Sequence, residues 1–599
     1  MNADRYQLDA INHLSGPALV IAGPGSGKTT VLTNRVKHLI STGVPPSGIL
    51  VLTFSKAAAN EMKERFLNLC KQSSTEVVFG TFHSVFYRFL KKYNHHISKI
   101  ITEKEKLYLL KSIISKNHFD IPQTEEFLQI LIRHISKIKS NSDSKSDDEF
   151  GRIGGQIYPL YQEILKESSL MDFEDLLIET RDMLCENEEI LKKIQNRFAY
   201  VFVDEFQDID AVQYEILQLI CDKHHNLFAV GDDDQCIYSF RGSNPHFMQR
   251  IKEDYPEISV YPLWNNYRCD KEITEKSLNL IGHNKERIHK DIVSMSSAKG
   301  TVVNKTFHSA KEEYVFLSDY LSSLPRNELN STAILLRNNI LSRECVNSFN
   351  EKNIPFLVAG KKDTLTDHPV VKDIFAYFRL CEGFFEKEDY IRVMNKPYRG
   401  LTSLDLPEGE FSFEGLKYHY RNKPYLIHAL TAFEKQIRTL SGLDLFGRMI
   451  YLRKGMGYED YVKRNYLSNE RIALSNASGE NLLNSLTDMS KEFEDLKEWE
   501  SELCKLSGAD KKTGPDGIRI MTMHASKGLE FDRVILPDLN EGIIPNGNSD
   551  KGPALEEERR LLYVAITRAR HELIVLSIHH ESQYKKTERI SPSRFLKEI

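Results

Sequence analysis

Residues Ala22 to Thr30 read AGPGSGKTT, a run of small residues closed by a lysine and two hydroxyls. That composition suits the cradling of phosphate oxygens. Glycine has no Cβ, so Gly23, Gly25 and Gly27 can take positive φ and turn backbone N–H groups inward on an anion. Pro24, Ser26 and Thr30 complete the run. Lys28 would reach the β- and γ-phosphates of a nucleotide, and the Thr29 hydroxyl would ligate Mg²⁺. Ala22 stands where the strict pattern has glycine. A plain glycine turn is the alternative, and the Lys-Thr pair argues against it.

A second candidate is AYVFVDEFQD, residues 199–208. An apolar strand ending in Asp-Glu is the acidic half of a nucleotide hydrolase. Asp204 would hold Mg²⁺, directly or through water, and Glu205 would polarise the water that attacks the γ-phosphate. Adjacent carboxylates at a strand end are costly unless a cation or hydrogen bonds compensate. A third stretch is LFAVGDDDQCIYSFRGS, residues 227–243. Gln235 could sense the γ-phosphate as an amide donor. Tyr238, Phe240 and Arg241 form either a buried aromatic cluster or a platform on which bases stack. Tyr267, Arg268 and, much later, Arg568 add an aromatic ring and two cations; both arginines are candidates for an arginine finger. Gln7 precedes the glycine run by fifteen residues, and its amide can donate to and accept from an adenine edge at once.

These side chains need elements to position them. PALVIA before the loop reads as a buried strand, and VLTNRVKHLI after it has helical spacing. ILVLTFSKAAANEMKERF and VVFGTFHSVFYRFL each read as strand then helix, with Phe54 and His83 where the strands end. Ends of strands in an open α/β sheet face the ligand crevice. Residues 84–196 read as mostly helical, with a polar break at 140–149 and a glycine pair at 154–155, a pattern of a helical insertion with a flexible linker. In MDFEDLL, Asp172 and Asp175 read as capping or solvated residues rather than catalytic ones.

A chain of 599 residues exceeds one core, so several domains are expected. Net charge is −5, a balance that neither suggests nor excludes nucleic acid. No apolar run is long enough for a membrane span, and the N-terminus lacks a signal peptide's apolar core. Eight scattered cysteines without a CxxC read as reduced thiols of a cytoplasmic protein.

The order of AGPGSGKTT, TFSKAAANEMKER, GTFHS, VDEFQD, VGDDDQCIYSFRG, NNYR, NIPFLVAG, NKPYRG, MTMHASKGLEF and EEERRLLYVAITRAR resembles the UvrD/Rep/PcrA family of superfamily 1 DNA helicases over nearly the whole length. The resemblance implies an α/β chain with two RecA-like P-loop NTPase motor domains, each interrupted by a largely helical insertion. The first motor would be 1–83 and 197–268 with its insertion at 84–196. The second would be 269–380 and 513–599 with a reduced insertion at 381–512. It implies ATP and Mg²⁺ in a cleft between the motors and 3′-to-5′ movement on single-stranded DNA with unwinding of 3′-tailed duplex. Repair, recombination or phage defence would be its setting. The alternative is a translocase that displaces proteins or serves a separately encoded nuclease, with little unwinding by itself. By the same resemblance Gln7 and Tyr267 would serve adenine, Arg35 would lie near the nucleotide and Glu530 would serve the ribose. Lys28, Thr29, Asp204, Glu205, Gln235, Arg268 and Arg568 would serve phosphate and Mg²⁺. Phe54, His83, Tyr238, Phe240, Arg241, Arg337, Asn338, Thr522 and His524 would line the DNA track.

Three departures stand out. Lys56 falls where the family usually has asparagine, and Ala57 where it has lysine, so the basic group is shifted by one residue. Phe240 replaces the more usual tryptophan. The region between NKPYRG and MTMHASKG is short, so the second insertion is expected to be reduced. No appended nuclease or partner-binding tail is expected after SPSRFLKEI.

Overall fold

The computed structural model describes residues 3–599 apart from 94–97, 118, 120, 122–124, 140–148, 240–245, 338–347, 350, 359–365, 367, 402–405, 408–410, 467–478, 507–516, 548, 550 and 584–585. Of the residues expected to do chemistry, Phe240, Arg241 and Asn338 lie outside this set, as does nearly all of the polar break at 140–149. The chain divides into two units, 1–301 with 556–571 and 599, and 302–555 with 572–598. The sequence reading gives 269–380 and 513–599 to the second motor; by packing, residues 269–301 and Glu556–His571 group with the first unit.

The first unit is built on six strands, β1 (Ala18–Ala22), β2 (Ile49–Thr53), β3 (Val78–Thr81), β4 (Tyr200–Val203), β5 (Leu227–Gly231) and β6 (Ser259–Leu263). Their order across the sheet is β3-β2-β4-β5-β1-β6, and the pairs are parallel. A parallel sheet is covered on both faces, which is why ALVIA, ILVLT and LFAVG are buried throughout and, Thr53 apart, free of polar side chains. Thr53 pairs Thr81, Leu52 pairs Val203 and Ile21 pairs Gly231. The residues that follow these strands, Gly23, Phe54, Phe82, Asp204 and Asp232, therefore line one carboxyl edge.

Helices position the remaining groups. The first is α1 (Arg5–Ile11), with a capping box between Asp4 and Gln7. It is followed by α2 (Lys28–Ser41) and α3 (Lys56–Cys70), the latter capped by Ser55, which accepts from the Ala58 N–H. Lys56 is the exposed first residue of α3. Between β3 and β4 run α4 (Phe82–Tyr93), α5 (Glu103–Lys116), α6 (Glu125–Lys139), α7 (Glu149–Glu167) and α8 (Phe173–Glu186). Leu110, Ile113, Ile114, Leu128, Leu131, Ile135, Ile157, Tyr161 and Leu165, at helical spacing, form a core of their own for this insertion.

The glycine pair at 154–155 does not mark a linker. It lies inside α7, and a Cβ on Gly154 would stand 3.3 Å from His134 Cβ on α6. A small residue there lets the two helices approach. Asp172 does cap α8, but neither it nor Asp175 is solvated. Both accept from buried Lys139, at 2.6 and 2.7 Å, and Tyr161 also donates to Asp172.

The second unit holds a sheet of β7 (Thr301–Ser309), β8 (Thr332–Leu336), β9 (Phe356–Val358), β10 (Ile518–Thr522), β11 (Phe531–Leu536), β12 (Ala569–Gln583) and β13 (Lys586–Arg589). The order is β7-β12-β11-β8-β10-β9, with β13 beside β12. The pairs β8–β10, β8–β11 and β9–β10 are parallel. Between β9 and β10 lies a helical segment that includes α9 (Pro369–Cys381) and α10 (Pro424–Ser441). Its apolar cluster, Val370 to Leu503, is separate from the cluster beneath the sheet. The molecule is thus α/β, with two parallel-sheet units and a helical insertion in each. Among the described residues no helix is long and apolar enough to cross a membrane, and Cys70, Cys185, Cys221, Cys236, Cys269 and Cys381 are free thiols.

Candidate nucleotide-binding site

The loop after β1 turns as its composition predicts at Gly25 and Gly27 but not at Gly23, whose φ is not positive and whose N–H donates to Leu263 O at 3.2 Å in the neighbouring strand. Gly25 and Gly27 take φ of 64° and 84°, the left-handed region that glycine favours. Space is short as well. A Cβ on Gly27 would stand 2.7 Å from Gln7 Nε2, and one on Gly25 would stand 2.5 Å from Arg268 Cβ. Ser26 Oγ closes the turn on Gly23 O at 2.8 Å. Gly27 is the N-cap of α2, so the open N–H groups and positive end of that helix begin at Lys28, Thr29 and Thr30.

Lys28 Nζ donates to both oxygens of Glu205 at 3.1 Å, and the pair is largely shielded from solvent. Glu205 sits at φ 52°, a positive value for a non-glycine residue at the end of β4. That strained turn aims its carboxylate at the loop. Asp204, beside it, is buried. Thr29 and Asp204 offer the hydroxyl and carboxylate oxygens that a hard divalent cation takes, so the donor set suits Mg²⁺.

Gln7 is buried. Its Nε2 donates to Ser26 O at 3.0 Å, and its Oε1 accepts from Asp4 N. Its amide therefore holds the loop's backbone. The Tyr267 N–H donates to Gly25 O at 3.0 Å, and the Tyr267 hydroxyl donates to Asp4. The ring itself is half exposed, an open aromatic face beside the loop. Arg35, expected near the nucleotide, is buried over the Phe228 ring, and its guanidinium donates to the carbonyls of Ile11, His13 and Leu14. It braces the end of α1, the helix that carries Gln7. Burial pushes its pKa down to about 10.

Five hydrogen bonds, three of them long-range, tie the edge together. Gln207 Nε2 donates to Glu205 Oε2 at 2.5 Å, and Gln207 Oε1 accepts from Asp232 N at 2.9 Å. Gln235 Nε2 donates to Asp232 Oδ2 at 2.6 Å, and its Oε1 accepts from Arg568 Nη2 at 3.5 Å. Arg268 Nη1 donates to Thr567 O at 3.3 Å. Arg568 is buried just after α11 (Gly552–Ile566), and burial first, then the Arg268 charge, pushes its pKa down to about 9. Two cations held close in a desolvated site stabilise an anion placed beside them.

The other half of the same edge is aromatic. Phe54 stacks on Tyr238 with ring centroids 5.1 Å apart and planes 11° from parallel. Phe54 is 36% exposed and Tyr238 half-buried, so this is a stacked pair open on one side, not a core cluster. His83 meets the edge of Phe173 at 5.8 Å, and Phe173 is 49% exposed. Burial holds the His83 pKa below the ordinary imidazole value. In the second unit, Leu336 pairs Thr522, so Arg337 and the turn Thr522–His524 share that sheet's carboxyl edge. Glu530 is exposed on the segment before β11.

Sequence reasoning passed over Gln207, Asn266 and Phe173. Asn266 Oδ1 accepts from the N–H groups of Arg268 and Cys269, fixing the turn that presents Arg268. Gln207 stands inside VDEFQD and Asn266 inside NNYR, so the motifs held both. Phe173 had one available signal, a large aromatic at the first position of a capped helix.

Comparison with known proteins agrees in extent with this geometry. A family model described as the UvrD/REP helicase N-terminal domain matches residues 3–256. A UvrD-like helicase C-terminal domain model matches residues 261–408 and 459–580. The ATP-dependent DNA helicase PcrA of Staphylococcus epidermidis is 29% identical over 640 residues, covering 100% of this chain and 86% of that protein. The putative ATP-dependent DNA helicase YjcD of Bacillus subtilis is 31% identical over 605 residues, covering 96% of this chain and 78% of its own length. PcrA of Staphylococcus aureus is 28% identical over 633 residues, covering 99% and 85%.

Proposed function

The chain belongs to the UvrD/Rep family of ATP-dependent DNA helicases, and from that premise we propose that it hydrolyses ATP to move 3′ to 5′ along single-stranded DNA and open 3′-tailed duplex. The observation that carries this reading is the juxtaposition on one sheet edge of a phosphate loop and an open aromatic stack, three residues apart at Gln235 and Tyr238.

Phosphate oxygens would lie on the N–H groups of residues 25–29, with Lys28 exchanging its Glu205 partner for the β- and γ-phosphates. Thr29 and Asp204 would hold Mg²⁺, which supplies charge neutralisation on the phosphates. Glu205, released from Lys28 and oriented by Gln207, polarises the attacking water. Arg268 and Arg568 stabilise the charge of the transferring phosphoryl group. The adenine ring stacks on Tyr267, with Gln7 and Asp4 bracing that wall. Glu530 would serve the ribose.

Bases stack on Phe54 and Tyr238, with His83 and Phe173 continuing the aromatic wall. Phe240, Arg241, Arg337, Asn338, Thr522 and His524 extend the strand path in this reading. Gln235 joins the halves. When the γ-phosphate leaves, Arg568 loses its anion, Gln235, whose Oε1 accepts from Arg568, follows the change, and the segment that ends in Tyr238 shifts its grip on the strand.

The test is strand displacement on 3′-tailed, 5′-tailed and blunt duplexes with ATP. Displacement of the 3′-tailed substrate alone is expected. Displacement from 5′ tails would reverse the polarity. Oligonucleotide-stimulated turnover without displacement of any substrate would favour a translocase that clears proteins or serves a nuclease.

A further inference from the structure

Lys290 lies outside every motif described above, 55 residues beyond Gln235 in sequence. Its buried ammonium sits among three consecutive carboxylates, 2.9 Å from Asp232 Oδ1, 2.6 Å from Asp233 Oδ1 and 2.7 Å from Asp234 Oδ2. Arg287 makes a bidentate pair with Asp234, at 2.9 and 2.6 Å. The Ile288 N–H donates to Asp233 Oδ2 at 2.7 Å. Burial opposes the charge on Lys290, yet the three aspartates lift its pKa above the ordinary lysine value. One short segment, residues 287–290, thus holds the whole acidic turn.

Asp232 connects that turn to the proposed reaction. Its Oδ1 accepts from Lys290 and its Oδ2 accepts from Gln235 Nε2 at 2.6 Å. An amide has one donor end and one acceptor end. A carboxylate that can only accept must take the nitrogen end, so Gln235 Oε1 is turned the other way, where Arg568 Nη2 donates to it. Without the ammonium, three neighbouring buried acids and one arginine would share protons. A protonated acid donates as well as accepts, and the Gln235 amide would lose its single orientation.

We propose that Lys290 is a positioning residue of the ATPase, acting through Asp232 to hold the Gln235 amide oxygen toward Arg568 and so setting turnover rather than nucleotide affinity. This rests on the functional reading above, in which Arg568 acts on the γ-phosphate and Gln235 acts on Arg568. The test is a double-mutant cycle on the full chain with Lys290→Met and Gln235→Ala, singly and together. Oligonucleotide-stimulated kcat and KM are read beside the dissociation constant of a fluorescent ATP analogue. Lys290→Met is expected to lower kcat about tenfold or more, with KM and analogue affinity within about threefold of wild type. Placed in the Gln235→Ala background, it is expected to lower kcat no further. A wild-type kcat in Lys290→Met, or losses that simply multiply in the double variant, overturns the proposal.

Should Lys290→Met fail to fold, Asp232→Asn takes its place in the cycle. It removes the charge but keeps the shape, and it is held to the same two outcomes. A wild-type protein that shows no stimulated turnover would sink the functional reading itself, before any variant is compared.

Discussion

The two halves of the first sheet's carboxyl edge are built from opposite materials. At the ends of β1, β4 and β5 the side chains are charged and shielded: Lys28 on Glu205, Asp232 on Lys290, Arg568 on Gln235. At the ends of β2 and β3 they are aromatic and open: Phe54 on Tyr238, His83 on Phe173. The first half suits a compact, highly charged ligand that replaces water with fixed donors. The second suits planar groups that must be held and released repeatedly, since stacking does not depend on sequence or a fixed register. Among the described residues, the segment from Asp232 to Tyr238 belongs to both.

If the halves do different work, variants should separate turnover from strand affinity. Lys28→Ala should cause the largest change, cutting stimulated ATP hydrolysis by about a thousandfold or more while oligonucleotide affinity stays largely intact. Phosphate release and fluorescence anisotropy read the two quantities. Arg568→Ala should lower kcat by about a hundred- to a thousandfold with less effect on KM, the signature of a group that acts in the transition state. Phe54→Ala should do the reverse. Loss of one stacked base, about 1–3 kcal/mol, weakens single-strand affinity by roughly 5- to 150-fold. Turnover at saturating oligonucleotide should then change little, while unwinding falls.

The smallest effect concerns His83. Burial lowers its pKa, so the folded ring stays neutral where an unfolded one would take up a proton. Stability therefore falls as pH drops through the ordinary imidazole value of about 6.5, because the unfolded state binds more protons there. Replacing His83 with phenylalanine should flatten the thermal-melting profile below about pH 6.5, where the unfolded imidazole takes up its proton. Strand affinity should be flat from pH 8 to 7, because a neutral ring stacks rather than pairs with phosphate.

Much of the charged half is legible in the chain because it is local. Five apolar residues, a glycine turn and a helix are contiguous at 18–41, and the φ values of Gly25 and Gly27 follow from residue type. Asp204 and Glu205 end an apolar strand and need no long-range information. Lys290 could not be read this way. Nothing near IHKDIV indicates three aspartates packed around its ammonium, because that contact depends on how residues 287–290 return to the sheet. Arg35 illustrates the converse. Its type suits a phosphate, but its position on α2 turns it toward the carbonyls at the end of α1. The glycine pair at 154–155 reads as part of a flexible linker in one dimension, yet it lies within α7 and Gly154 serves helix contact in three. For Tyr238 the choice between a buried cluster and an open platform turns on packing that the sequence does not carry: its ring stacks on Phe54 and is only partly buried, while Phe240 and Arg241 lie outside the described residues.

The measurement closest to the central claim is steady-state ATP turnover of the purified chain with and without a single-stranded oligonucleotide, on wild type and on Phe54→Ala. Joined halves predict a large stimulation in wild type, reached only at higher oligonucleotide concentration in the variant. Equal turnover with and without oligonucleotide in the wild-type protein would mean that the charged and aromatic halves of the edge are not coupled.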